Sequence, residues 1–148
     1  MTVPLSVYLP YLLLTLGIEA PLVFALLARR AGWQRALLVA LVASLVTHPM
    51  LWFLWSRVVS IQRHYVWYSL SGELLVVLVE AGIFFALALR PRRESDSLRS
   101  RLGTALGVSL LVNVSSWGTG MLLHYAGLLG PYVRVTARWL DALLGGSR

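Results

Sequence analysis

The sequence predicts an all-α polytopic membrane protein, an antiparallel bundle of four transmembrane helices, and three observations support this. Apolar residue types make up 58% of the 148 residues and charged types only 13%, whereas a soluble domain has about 25% charged residues. The apolar residues form four runs, each near the roughly 20 residues that cross a bilayer core. A soluble chain of this length could not bury so much apolar surface, but lipid accepts it on the outside of a bundle.

The whole chain, residues 1–148, is predicted to form one membrane domain, with spans at residues 5–28, 36–55, 65–89 and 102–125. The segments between them (29–35, 56–64 and 90–101) are short and contain arginine, and short connections make successive helices antiparallel neighbours. Pro91 ends the third span, because proline cannot continue a helix.

A fifth helix is predicted after the last span. Following Gly130, the apolar positions of residues 131–144 recur on one helical face, with charged residues elsewhere. That pattern is typical of an amphipathic helix lying at the membrane surface. A frayed tail is the alternative.

Arginine distribution predicts the orientation. All thirteen basic residues are arginines, and eight lie in the first and third connections: Arg29, Arg30, Arg35, Arg90, Arg92, Arg93, Arg99 and Arg101. Cytoplasmic loops carry the excess of positive charge, so we expect a multi-pass protein of the cell membrane with both termini outside the cytoplasm. The arginines end apolar runs and form no basic stripe, so nucleic acid is not an expected partner.

Polar side chains interrupt every span. Glu19, Glu73 and Glu80 lie inside the first and third spans, and His48 and Asn113 lie inside the second and fourth. A charged group at the centre of a bilayer costs about 2.5–3.5 kcal/mol or more, and such groups usually mark ion or proton sites. We therefore predict that these five residues form a cation- or proton-binding site.

The five residues fall at two predicted depths. Glu19, Glu80 and Asn113 are about equally far from the arginine-rich ends of their spans, whereas His48 and Glu73 lie closer to the opposite side. Glu73 and Glu80 are seven residues apart, so they share a helical face about 10 Å apart, too far to bind one metal ion together. This spacing predicts a ladder of two sites.

Smaller polar residues extend each position into a stripe that should face the bundle interior: Thr15, Ser44, Ser69, Ser116, Gly120 and His124. Pro21 and Pro49 lie beside Glu19 and His48, and each proline removes a helical hydrogen bond, which indicates a kink or an opened backbone near a site. Gly103 and Gly107 form a small-residue pair of the kind that permits close helix approach.

Three functions are compatible with this pattern. The favoured one is binding of a cation, either a proton or a divalent metal, for transport or coupling; Glu19 and Glu80 would be the inner ligands, and His48 and Glu73 the outer ones. A divalent metal is the one cofactor that the sequence suggests. The alternatives are a non-catalytic subunit of a larger membrane complex or homo-oligomer, and a small intramembrane enzyme acting on a lipid or peptide. The sequence contains no HExxH, GxSxG or glycine-rich phosphate motif, so it assigns no catalytic residue.

Overall fold

The computed structural model describes residues 5–59, 65–89 and 97–143. Within these ranges the chain is helical apart from short turns and contains no strand. Four helices are long and apolar enough to cross a membrane: Leu5–Ala31, Trp33–Val58, Val66–Ala88 and Leu98–Tyr125. The predicted all-α fold with four spans is confirmed, and the chain has the architecture of a multi-pass membrane protein.

The first span is helix α1 (Leu5–Ala31). The second begins as α2 (Trp33–Pro49) and continues through a π-helical segment, Met50–Trp55, into the short α3 (Ser56–Val58). The third is α4 (Tyr65–Ile83), which ends in a second π-helical segment, Phe84–Ala88. The fourth is α5 (Leu98–Tyr125), and α6 (Leu129–Leu143) follows it.

The connection between α1 and α2 is shorter than predicted. Residues 29–35 were expected to link two spans, but only Gly32 separates the helices, and its φ of 89° is a conformation that glycine adopts without steric cost. Arg29 and Arg30 form part of the last turn of α1, where positive charge is favourable beside the helix C-terminus. Parts of the other two predicted connections, residues 60–64 and 90–96 with Pro91, lie outside the described residues.

The four spans pack as a square. Helix α1 packs against α2 and α5, and α4 packs against the same two helices. Helices α1 and α4 therefore lie diagonally opposite each other, as do α2 and α5. The antiparallel order brings Arg29 and Arg30 of α1, Arg35 of α2, and Arg99 and Arg101 of α5 to one end of the bundle, which we call the arginine end.

The helix predicted at residues 131–144 is present as α6, and it packs against α1 and α5. The Tyr132 hydroxyl donates a hydrogen bond to the Pro10 carbonyl at 3.0 Å. Helix α6, which carries Arg134 and Arg138, thus folds back over the other end of the bundle.

The apolar core occupies the half of the bundle nearest the arginine end. Its members come from all four spans and include Val23, Leu27, Val39, Ala43, Phe84, Ala105, Val108 and Val112. Large apolar side chains on the outer faces are exposed, among them Leu38, Leu74 and Leu110, as expected for surfaces that contact lipid. The opposite half of the interior is not filled in this way.

Arginines also connect the helices at the arginine end. The Arg101 Nε donates to the Leu89 carbonyl at 2.6 Å, and its guanidinium lies 4.5 Å from the centre of the Phe85 ring. The Arg30 Nη1 donates to Thr104 Oγ1 at 3.3 Å. These contacts join α5 to the end of the third span and to α1.

The close helix approach occurs at a different glycine from the predicted pair. Gly103 and Gly107 are exposed, and a Cβ at either would meet no atom within 4 Å, so the prediction is wrong within this chain. At Gly72 a Cβ would overlap Leu51 Cδ1 and lie 3.2 Å from Trp55 Cδ1. Gly72 thus lets α4 approach the π-helical segment of the second span.

Replacing Gly72 with leucine should destabilise the protein, because the side chain would have to displace Leu51 and Trp55. Overpacking of this kind costs about 1–3 kcal/mol. The matched control is Gly82→Leu on the same helix, where a Cβ meets no atom within 4 Å. Thermal unfolding of both variants in detergent, followed by circular dichroism, should show a lower Tm for Gly72→Leu alone; equal Tm values would contradict this packing.

Candidate functional site

The Glu19 carboxyl is buried between two neighbouring helices. Its side chain is 3% exposed. Ser44 Oγ from α2 donates to one carboxyl oxygen at 2.8 Å, and Ser116 Oγ from α5 donates to the other at 2.8 Å. Each oxygen thus has one hydroxyl partner, from helices on opposite sides of α1.

The Glu80 carboxyl is held in the same way on the diagonal helix. It is 1% exposed. Thr47 Oγ1 from α2 donates to one oxygen at 3.1 Å. Asn113 Nδ2 and Ser109 Oγ, both from α5, lie 2.5 and 3.4 Å from the other oxygen.

The two carboxyls therefore share one design. The acids come from the diagonal pair α1 and α4, and the donors come from the other diagonal pair, α2 and α5. Within each helix the donors are three or four residues apart, as Ser44 and Thr47 are, so they lie on one helical face. All five donors are uncharged, so these contacts leave a carboxylate here without a compensating positive charge.

The hydroxyl partners of Glu19 each have a second acceptor within reach. Ser44 Oγ lies 3.1 Å from the backbone carbonyl oxygen of Ala40, and Ser116 Oγ lies 3.2 Å from the backbone carbonyl oxygen of Asn113. A serine hydroxyl carries one hydrogen and can also accept. It can thus donate to an ionised Glu19, or donate to its carbonyl and accept a hydrogen bond from a protonated Glu19.

Glu80 has the same kind of surroundings. Thr47 Oγ1 lies 2.9 Å from the Ala43 carbonyl oxygen, and Ser109 Oγ lies 2.9 Å from that of Val77. Asn113 connects the two acids. Its side-chain amide nitrogen donates to Glu80, and its backbone carbonyl oxygen is one of the acceptors available to Ser116. The arrangement can satisfy either acid with or without a proton.

A cavity of about 390 Å³ lies in the half of the bundle that the apolar core leaves unfilled. Its lining extends from Glu19, Asn113 and Ser116, next to the apolar core, to Leu129 of α6. Aromatic side chains line much of the remainder: Tyr11, Trp52, Tyr68 and Trp117. Glu80 does not line the cavity, but two residues that contact it do, namely Thr47 and Asn113.

His48 and Glu73, the second predicted level, both line this cavity. The His48 ring lies 5.1 Å from the Tyr8 ring and 5.9 Å from the Trp52 ring, measured between centroids. Its Nδ1 is buried and has no hydrogen-bond partner among the described residues. Glu73 is half-buried, and no other described residue forms a hydrogen bond with it.

The structure thus brings Glu19, Glu80 and Asn113 together through hydrogen bonds, and lines one cavity with Glu19, His48, Glu73 and Asn113. Within the described residues, no group of three or more His, Cys, Asp or Glu side chains is placed to hold a metal ion. Thr15, Ser69, Gly120 and His124 of the predicted stripes also line the cavity.

Sequence reasoning missed two donors and the aromatic lining. Ser109 precedes Asn113 by four residues and Thr47 follows Ser44 by three, so a search along each polar face would have found both. The four lining aromatics carry no comparable signal, because tryptophan and tyrosine near span ends are equally expected at the membrane interface.

Comparisons of the chain with protein-family models, with curated proteins and with solved structures found no significant match. The chemistry of the site therefore has to be argued from its own geometry.

Ser109→Ala should destabilise the bundle, because it removes the hydroxyl that contacts two acceptors on α4, the Val77 carbonyl oxygen and the Glu80 carboxyl. Hydrogen bonds between membrane helices contribute about 0.6–1.7 kcal/mol. Ser115→Ala is the matched control, since the Ser115 hydroxyl donates to Leu111 of its own helix at 2.7 Å. Unfolding in mixed micelles with increasing dodecyl sulfate should separate the two variants; equal free energies of unfolding would argue against a structural role for this contact.

Proposed function

We propose that the protein binds a cation inside the membrane at Glu19 and Glu80, for transport or as a coupling step, and that this cation is a proton. One observation carries the proposal. Both carboxyls are buried inside the bundle, and their donors are uncharged groups, most of which have an alternative backbone acceptor.

The cost of burying charge supports the proton. A charged side chain at the bilayer centre costs about 2.5–3.5 kcal/mol or more, and no positively charged partner is among the donors to Glu19 or Glu80. Binding a proton removes that charge. The alternative acceptors of the serine and threonine hydroxyls allow the hydrogen bonds to rearrange without moving a helix.

The position of the cavity supports a function in exchange. The cavity reaches Glu19 from the side opposite the arginine end, whereas packed apolar residues fill the half beyond it. A proton could thus reach Glu19 from one side of the membrane in this conformation. Delivery to the other side would require the packed half to open, as in alternating access.

A divalent metal is the less favoured cation. Its predicted ligands were His48, Glu73, Glu19 and Glu80, and zinc sites in proteins use three or four such groups. Within the described residues, no three of these side chains are placed to hold one metal ion.

We further propose that the protein lies in the cell membrane with both termini outside and the arginine end in the cytoplasm. Arg29, Arg30, Arg35, Arg99 and Arg101 meet at that end within the described residues. In this orientation the cavity faces the outside of the cell.

Glu19→Gln should remove a protonated-carboxyl signal. In pH-dependent infrared difference spectra of the protein in nanodiscs, we expect a carboxylic acid C=O band that disappears in Glu19→Gln. Ser116→Ala should shift the same band, because one hydrogen bond to that carboxyl is lost. Glu80→Gln should remove a second component of the carboxylic acid C=O band.

The control for the infrared experiment is Asp141→Asn, which removes an exposed carboxyl on α6 outside the four spans. Its spectrum should keep both buried bands. If neither Glu19→Gln nor Glu80→Gln alters the carboxylic acid region at any pH, these residues do not hold a proton and the proposal fails.

Cysteine labelling tests the orientation, and the chain suits it because it contains no cysteine. Ala126→Cys lies between α5 and α6, and Gln34→Cys lies at the arginine end; both positions are exposed. A membrane-impermeant maleimide should label Ala126→Cys in intact cells, and Gln34→Cys only after permeabilisation. The reverse pattern would mean that the arginine end faces outward.

A further inference from the structure

We propose that the cavity is a binding site for a small organic cation, a primary or secondary ammonium group carried on an apolar body. This inference rests on the proposed function, because it places the ammonium group at Glu19, the carboxyl already proposed to bind a proton. It adds the class of substrate that the protein takes up from the cavity side.

The size of the cavity fits a small molecule. Ligand pockets generally have volumes of about 300–1,000 Å³ and are mostly apolar, with a few polar groups that orient the ligand. This cavity has about 390 Å³, at the lower end of that range. A proton or a bare metal ion would leave most of this space unused.

Unpartnered polar groups show where a hydrogen-bonding ligand would be held. His48 is 8% exposed, and its buried Nδ1 has no partner among the described residues, which is costly unless something else satisfies it. Glu73 lines the same cavity, also without a described hydrogen-bond partner. Glu19 accepts one hydrogen bond on each oxygen, and a carboxylate can accept more.

The charges of these groups select the sign of the ligand. Two carboxyls, Glu19 and Glu73, line the cavity, and the described lining contains no arginine. A carboxyl in its ionised form would repel an anion, and a neutral molecule would leave that charge unpaired in a poorly solvated place. An ammonium group with two or three N–H donors can pair with a carboxylate, and a turn of the His48 ring would bring its buried Nδ1 within reach of the same group.

Aromatic side chains supply the surface for the rest of the ligand. Tyr11, Trp52, Tyr68 and Trp117 line the cavity, and aromatic faces attract both cations and apolar groups. Hydrogen bonds fix two of these rings: Trp117 Nε1 donates to Ser69 Oγ at 3.1 Å, and the Tyr68 hydroxyl donates to the Leu51 carbonyl at 3.0 Å. Their orientation is therefore set before a ligand arrives.

The proton and the organic ammonium ion compete, because both bind at Glu19. An ammonium ion needs Glu19 in its ionised form, and a bound proton removes that form. Each ammonium bound at a protonated Glu19 releases one proton, so no net charge enters the site. This one-for-one exchange is the coupling step that the proposed function requires.

The test uses two probes of similar shape, 2-phenylethylammonium and the neutral 2-phenylethanol, with binding to the protein in nanodiscs measured by calorimetry. We expect the ammonium to bind at least tenfold more tightly than the alcohol. Glu73→Gln should lower ammonium affinity at least tenfold and bring the two probes closer together. Calorimetry in buffers of different ionisation enthalpy should detect proton release on ammonium binding.

A steric pair of variants tests the cavity without altering any carboxyl. Gly120 lines the cavity, and a Cβ there meets no atom within 4 Å, so Gly120→Leu should fill the space and abolish ammonium binding. Gly107→Leu, on the exposed face of the same helix, should bind as the parent protein does. Both replacements favour the helix, so both proteins should fold.

The outcomes separate this inference from the proposed function. Equal affinity for the two probes, no ammonium binding by the parent protein, or equal binding by Gly120→Leu and Gly107→Leu would overturn the organic-cation site, even if the infrared band of Glu19 is present. Ammonium binding that needs Glu73 and an open Gly120 position, but is unchanged in Glu19→Gln, would overturn the shared carboxyl and with it the exchange mechanism.

Discussion

The structure depends on one constraint: a polar group buried in a membrane protein must find its partners inside the protein. Glu19 and Glu80 are the most demanding such groups here, and each takes donors from both α2 and α5. Contacts of this kind restrict the rotation of all four spans about their axes, because turning any helix would separate an acid from a donor. The acids and their donors therefore specify the bundle as well as the site.

These two acids also divide the bundle into halves of different character. On the arginine side, small and medium apolar residues pack the interior, and Arg101 joins α5 to the end of the third span. On the other side, long aromatic side chains surround a cavity instead of filling it. The second span changes from an α-helix to a π-helical segment at Met50, directly after Pro49, and π-helical turns are common at functional sites. That segment carries Leu51 and Trp52 into the cavity wall.

The sequence was informative wherever depth and composition decide the outcome. Apolar run length predicted the four spans, and the rule that polar groups avoid lipid predicted that Glu19, Glu80 and Asn113 face the interior. The sequence was uninformative where a residue's contacts depend on how its helix is rotated and on which helix lies beside it. Nothing in the sequence distinguished the exposed Gly107 from Gly72, which contacts a neighbouring helix. Pro21 and Pro49 also appeared equivalent, yet α1 continues unbroken through Pro21. Such differences arise from which helix packs on which face, and this requires the assembled bundle.

The cavity and the acids together have a mechanistic consequence. A carboxyl that either a proton or an ammonium ion can neutralise is stable in two loaded states and is costly when empty, because an uncompensated charge then remains between apolar helices. A conformational change that exposes Glu19 to the other side is thus favoured when a cation occupies the site. Exchange transport requires this rule, since the empty carrier must not reorient. In the proposed mechanism, the burial of Glu19 among uncharged donors enforces the rule without any further gate.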